Sequence, residues 1–147
     1  MNKKRFDFLK KDYVQGFPAF CGFQVEQVAY GVFETRLEIG PDHWQQDGFV
    51  HAGVIATMAD HTGGYAAYTT VSEETRILTI EFKINYFRPA KGEAILCRSR
   101  VVNRGKTIIV SESEVFSLKE GEEKSVSKAM ITLMAVPASQ VSHRPRE

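Results

Sequence analysis

The sequence predicts an α+β domain in which one long helix covers a face of an antiparallel sheet. Three observations lead there. Residues 45–68, QQDGFVHAGVIATMADHTGGYAAY, pass from turn-like polar residues into a small-residue apolar segment of helical character. The segments after it alternate apolar and polar residues, as half-buried strands do. The links between the last three of those segments are short and carry glycine, which favours antiparallel neighbours in a meander.

Taken in order, the N-terminus MNKKRFDFLKKDYV is basic but has no apolar h-region, so it does not read as a secretory signal. The spacing of Phe6, Leu9 and Tyr13 instead fits a short amphipathic helix lying on the domain. Residues 31–39, GVFETRLEI, set Phe33, Thr35, Leu37 and Ile39 against Glu34, Arg36 and Glu38, a half-buried strand. GPDHWQQDG is turn material. In the following helix, of roughly 16 residues, steps of about 100° place Ala56, Asp60, Gly63, Gly64 and Ala67 along one stripe. Val54, Ile55, Met58 and Tyr65 add bulk around it. Two glycines in a helix cost about 1 kcal/mol each, which calls for a packing reason. Asp60 sits in the middle of this stripe and does not read as an ordinary solvated charge.

Residues 76–89, RILTIEFKINYFRP, put Leu78, Ile80, Phe82, Ile84 and Tyr86 on one face and Thr79, Glu81, Lys83 and Asn85 on the other, until Pro89 ends the strand. EAILCRSRVVN, KTIIVSESEVFSL and SVSKAMITLMAV are three more strands, joined by turns in which Gly105 and Gly121 can take positive φ. The expected division is an N-terminal helix and lead-in over 1–20, one domain over 21–136 and a loose tail over 137–147.

At 147 residues the chain suffices for one well-cored domain. A formal net charge of +1 gives no bulk attraction to nucleic acid or an anionic membrane. No apolar run approaches the roughly 20 residues that span a bilayer. Cys21 and Cys97 lack metal-ligand spacing and read as buried free thiols, which points to a cytoplasmic address and to no metal site.

His51-Ala52-Gly53 opens the helix, Asp60 follows nine positions after His51, and a strand ends Asn85-Tyr86-Phe87-Arg88-Pro89-Ala90. Over residues 20–136 this combination resembles the hotdog-fold acyl-CoA thioesterases, with the phenylacetate-pathway (PaaI-type) branch the nearest pattern. The resemblance implies a hotdog fold: a long central helix wrapped by a curved antiparallel sheet of five to six strands. It implies hydrolysis of a medium-chain or aryl acyl-CoA, with Asp60 as general base or nucleophile. Unpaired amides at the helix start, around Ala52 and Gly53, would hold the thioester carbonyl beside His51 and form an oxyanion hole worth of order 3 kcal/mol. Nine residues are half a turn out of phase, so His51 and Asp60 cannot share a helix face.

The family's amide side chain aligns with Gln45, or with Gln46 if the loop slips by one residue. Its hydroxyl residue, supplied by the partner subunit, aligns with Thr79. Ala52 departs from the more usual glycine, which would cost about 1–2 kcal/mol if positive φ were required. The resemblance also implies a homodimer with sites at its interface, paired into a tetramer. No cofactor is called for, since coenzyme A is part of the substrate. Arg88, Arg104 and Lys106 are candidates for its phosphates. His43, His61 and His143 carry no constellation and default to the surface.

Two other functions fit less well. A hydroxyacyl-thioester dehydratase needs a histidine base aimed at the α-carbon, which Gln45 and the strand motif do not favour. A non-catalytic acyl-CoA sensor of this fold usually carries a DNA-binding extension, and none is visible, while a binding-only protein without activity stays open.

Overall fold

The computed structural model describes residues 3–141. Helix α1 (Lys3–Tyr13) and the short α2 (Gly16–Cys21) lead into strands β1 (Gln24–Ala29) and β2 (Val32–Glu38). The long helix α3 (Ala52–Tyr68) follows, then β3 (Thr75–Tyr86), β4 (Ala94–Arg104), β5 (Ile108–Lys119) and β6 (Glu122–Pro137). The six strands form one antiparallel sheet in the order β1-β2-β4-β5-β6-β3, with α3 packed against it. This is the hotdog-like α+β arrangement that the residue pattern implies.

Three expectations need correcting. Two strands precede α3, because β1 pairs with β2 through an irregularity between Val25 and Gln27 that destroys its alternation. The meander expected of the last three strands is present as β4, β5 and β6. Strand β3 lies at the far edge beside β6, and β2 takes its place next to β4. Gly121 has the expected positive φ of 77°, following Glu120 at 52° in the β5–β6 turn. Gly105 instead serves close approach: a Cβ there would stand 2.3 Å from the Ile108 carbonyl oxygen. Pro137 still pairs with Thr75, and Ala138–Gln140 make one 3-10 turn. Residues 142–147 of the expected tail, His143 among them, lie outside the described residues.

Helix α3 meets the sheet through Ile55, Met58, Ala59, Thr62, Gly63 and Ala66, all buried. Its approach is close because the sheet beneath is built of small polar residues: Ser99, Ser111, Ser113 and Ser127 are all buried. Ser113 Oγ donates to the Ala59 carbonyl at 2.7 Å and pairs with Ser99 Oγ at 2.6 Å. A Cβ on Gly63 would meet Ile131 Cδ1 at 2.9 Å, so a larger residue there would make the Ile131 side chain shift. A second chain of hydroxyls links Tyr13 to Thr62 at 2.9 Å and Thr62 to Thr35 at 3.0 Å, which fixes α1 to α3 and β2. The small-residue stripe therefore divides. Gly63 and Ala67 are buried, while Ala56, Asp60 and Gly64 stay half-exposed, and Gly64 would meet nothing with an added Cβ.

Candidate active site

Asp60 projects from the middle of α3 toward β3, where Thr79 Oγ1 donates to its Oδ1 at 2.7 Å. Strict alternation would place Thr79 and Tyr86, seven residues apart, on opposite faces of the strand. Both nonetheless bond to α3, because β3 carries a bulge between Thr79 and Glu81 that shifts the register by one. Thr79 is thus bonded to Asp60 of its own chain.

The strand motif explains how the helix start is held. Tyr86 donates its hydroxyl to the Ala52 carbonyl at 2.9 Å, and burial raises its pKa, keeping the proton in place. The Ala90 carbonyl accepts from the Val50 amide at 3.0 Å, and the Phe87 amide donates to Val126 at 2.8 Å. Sequence alone gives Tyr86 no role beyond the motif; its clamp on the helix emerges only once the bulge is known. Ala52 lies in the first turn of the helix, and Glu120 is the only described non-glycine residue with positive φ, so alanine costs nothing there.

His51 is the N-cap of α3: its Nδ1 accepts from the Gly53 amide at 2.8 Å. The Gly53 amide is therefore not an unpaired donor, contrary to expectation. That bond also fixes the neutral ring with its proton on Nε2. The Ala52 amide has no acceptor among the described residues. Gln45 turns inward on its own loop, with Oε1 accepting from the Asp47 amide and Nε2 3.4 Å from Asp47 Oδ2.

A cavity of about 480 Å³ opens at this end of α3, lined mainly by apolar groups including Phe49, Val50, Ile55, Phe87 and Pro89. Both Gln45 and Gln46 border it, as do His51, Ala52 and Arg88. Arg104 is far away: it donates to its neighbour Gly105 and, at 3.2 Å, to Thr70 O just past the other end of α3. The helix rises about 1.5 Å per residue, so its two ends are about 25 Å apart. Arg88 does not group with Arg104 and Lys106 in one chain.

The same rise separates Gly53 from Asp60 by about 10 Å. One chain thus holds two half-sites, a carboxylate with its hydroxyl and a helix start with an apolar cavity, that cannot reach one carbonyl together. The other two described histidines, His43 and His61, are structural. His43 accepts from Gly40 through Nδ1 and donates from Nε2 to the Cys21 carbonyl, while His61 donates from Nε2 to the Tyr13 carbonyl at 3.0 Å. Burial lowers the His61 pKa, favouring the neutral ring. Among the described residues no group of three His, Cys, Asp or Glu is placed to hold a metal ion, and no helix is long and apolar enough to cross a membrane.

Comparison with known proteins decides the family. Residues 47–124 match the model of the thioesterase superfamily. The chain belongs to that superfamily. It is a thioester hydrolase by that membership. A thioesterase family protein from Silicibacter pomeroyi superimposes with a TM-score of 0.86 at 33% identity, covering 90% of this chain and 98% of that one. A Halobacterium salinarum protein provisionally assigned as an esterase is 33% identical over 105 residues, 68% of this chain and 69% of its own length. The medium/long-chain acyl-CoA thioesterase YigI of Escherichia coli is 28% identical over 105 residues, 63% and 65% of the two chains.

Proposed function

We propose that this superfamily member hydrolyses a medium-chain or aryl acyl-CoA, as a homodimer of PaaI type in which each site takes one half from each protomer. The observation that carries this is the Asp60–Thr79 pair, placed on the half-exposed face of α3 beyond reach of its own helix start. Two α3 helices side by side and antiparallel bring the helix start of one chain to Asp60 of the other. The same arrangement occupies the β3 edge, where Leu78, Ile80 and Phe82 are exposed. The acid and amide positions, and the acyl-CoA thioesterase activity named for YigI, support the assignment.

In this reading the Ala52 amide and His51 Nε2–H hold the carbonyl oxygen, with Gln45 or Gln46 beside them. Asp60 Oδ1 is held by Thr79, which leaves Oδ2 to take the proton of an attacking water or to attack the carbonyl carbon itself. The C–S bond breaks, and the coenzyme A thiolate leaves and is protonated. A single turnover in ¹⁸O-water separates the two routes, since only an anhydride carries label into Asp60. The His51 geometry favours hydrolysis over dehydration, because its Nδ1 is occupied and its Nε2 carries the proton.

The test is thiol release from a panel of acyl-CoAs by the wild type, Asp60→Asn and Asp60→Ala. We expect the wild type to turn over and both variants to lose on the order of a thousandfold in kcat. Equal rates for all three would end the assignment.

A further inference from the structure

Apolar side chains meet water at the β3 edge and again on the first two helices. Phe8 on α1 and Phe17 and Phe20 on α2 are 54%, 59% and 87% exposed, with Val14 between the helices also exposed. The buried face of α1 is Arg5, Leu9 and Tyr13, each four residues from the next. Phe8 lies on the outer face with Lys4 and Lys11 one turn to either side, and the three share a shallow cleft with Lys3 and Asp7. Gly16, at a φ of 57°, turns the chain into α2, and Gln15 Nε2 donates back to Asp12 at 2.8 Å. Phe17 and Phe20 stack on each other with centroids 6.4 Å apart, while Cys21 anchors α2 in the core. Lys3, Lys4, Lys10 and Lys11 are all exposed and make no ion pair among the described residues. The first 22 residues hold five of the chain's 19 Lys and Arg but two of its 18 Asp and Glu. They are therefore net +3, which leaves the rest of a chain of net +1 at −2.

Exposed phenylalanines fenced by lysines without acidic partners suit a surface that is anionic on top and apolar just beneath. A bilayer of acidic lipids is such a surface: rings enter the headgroup–acyl boundary, and lysine stems lie on the apolar layer with their heads at the phosphates. A second copy of this chain fits less well, because a two-fold contact would set the same lysines against themselves. The β3 edge differs on both counts, since it carries Glu81 beside Lys83 and a free strand edge, as a contact between chains requires. We propose that α1 and α2 form a docking face for an anionic lipid surface, with Phe8, Phe17 and Phe20 entering the interface and Lys3, Lys4 and Lys11 on the lipid phosphates. The chain's small net charge supplies no such attraction; the asymmetry between its first 22 residues and the remainder does. Binding is peripheral and reversible, with the helices lying on the surface, and it is independent of which reaction the site performs.

The experiment is co-sedimentation of the full-length protein with vesicles of phosphatidylcholine alone and of phosphatidylcholine mixed with phosphatidylglycerol. It compares the wild type with Phe17→Ser/Phe20→Ser and with Lys4→Glu/Lys11→Glu, all exposed positions, and an unchanged Tm shows that each variant folds. We expect the wild type to prefer the anionic vesicles by at least about tenfold, and each double variant to lose about tenfold or more of that affinity. Raising salt should weaken wild-type binding. If a double variant fails to fold, Phe20→Ser or Lys11→Glu takes its place, with a loss of about fivefold expected. A wild type with no preference for anionic over neutral vesicles would overturn the proposal, as would anionic binding that both variants retain. A wild type that ignores vesicles but changes oligomeric state when Phe17 and Phe20 are replaced would overturn it in favour of a second copy. Binding of single-stranded RNA in place of vesicles would overturn it in favour of nucleic acid.

Discussion

Strands β5 and β3 are equally long, 12 residues each, and lie in the same sheet, but they are buried in opposite ways. Every second residue of β5 is buried, from Ile109 through Ser111, Ser113 and Val115 to Ser117, under helix α3. In β3 only Ile77 is fully buried, and Leu78, Ile80, Phe82 and Tyr86 are 39–51% exposed. A single chain satisfies β5 completely. It leaves β3 with apolar residues in water and an unpaired backbone edge, which natural proteins seldom tolerate without a cover. The residues proposed to carry the chemistry, Thr79 and its partner Asp60, belong to the unsatisfied region. In this molecule the regular part of the sheet builds the domain, and the irregular, bulged edge holds the proposed site.

That contrast can be tested from the most to the least damaging change. Ile109→Ala in β5 removes a fully buried side chain and should cost about 2–5 kcal/mol, read as a lower denaturant midpoint. Ile80→Asp at the β3 edge should leave the fold within about 1 kcal/mol of wild type yet split the dimer, seen by sedimentation, and remove activity with it. An Ile80→Asp protein that stayed dimeric and active would sever the link between the edge and the site.

Smaller effects probe the surface of the regular region. Glu112 on β5 is bonded to Lys128 at 2.6 Å and Arg100 at 3.0 Å, and the Lys128 hydrogen bond leads in holding its carboxyl below the ordinary range. A carboxyl depressed in the folded state stabilises above its unfolded pKa, and that gain disappears as pH falls through the folded value. Glu112→Gln should therefore cost up to about 1 kcal/mol at pH 7, shrinking toward zero as the pH drops below about 4. The smallest expected signal is a rate. Burial pushes the Cys97 thiol up to about 11, so a thiol reagent at neutral pH should reach it only as fast as the domain opens.

Much of the fold was legible because its regular parts obey simple periods. The alternation of β2, β4, β5 and β6 and the small-residue helix specify their own local structure. Strand β1 was not legible, since its irregular pairing hides the period, and the place of β3 beside β6 depends on curvature that no local pattern encodes. In the site, the spacing of His51 and Asp60 ruled out a shared face and pointed to Asp60. The union of Thr79 with Asp60 in one chain was out of reach, because a one-residue bulge reverses the face that alternation assigns. The capping of Gly53 by His51 was equally hidden, for a side chain two residues away can take an amide that sequence leaves free.

The central claim is that each active site joins Asp60 and Thr79 of one protomer to the helix start of the other. Mixed dimers of two weak variants test it most directly: Asp60→Asn, and Gln45→Ala combined with His51→Ala. If the halves come from different chains, a mixed dimer holds one intact site and one doubly damaged site, and random mixing should restore about a quarter of wild-type activity. If both variants stay as weak after mixing as before, while mixed dimers are shown to have formed, each site is made within one chain and the account is wrong.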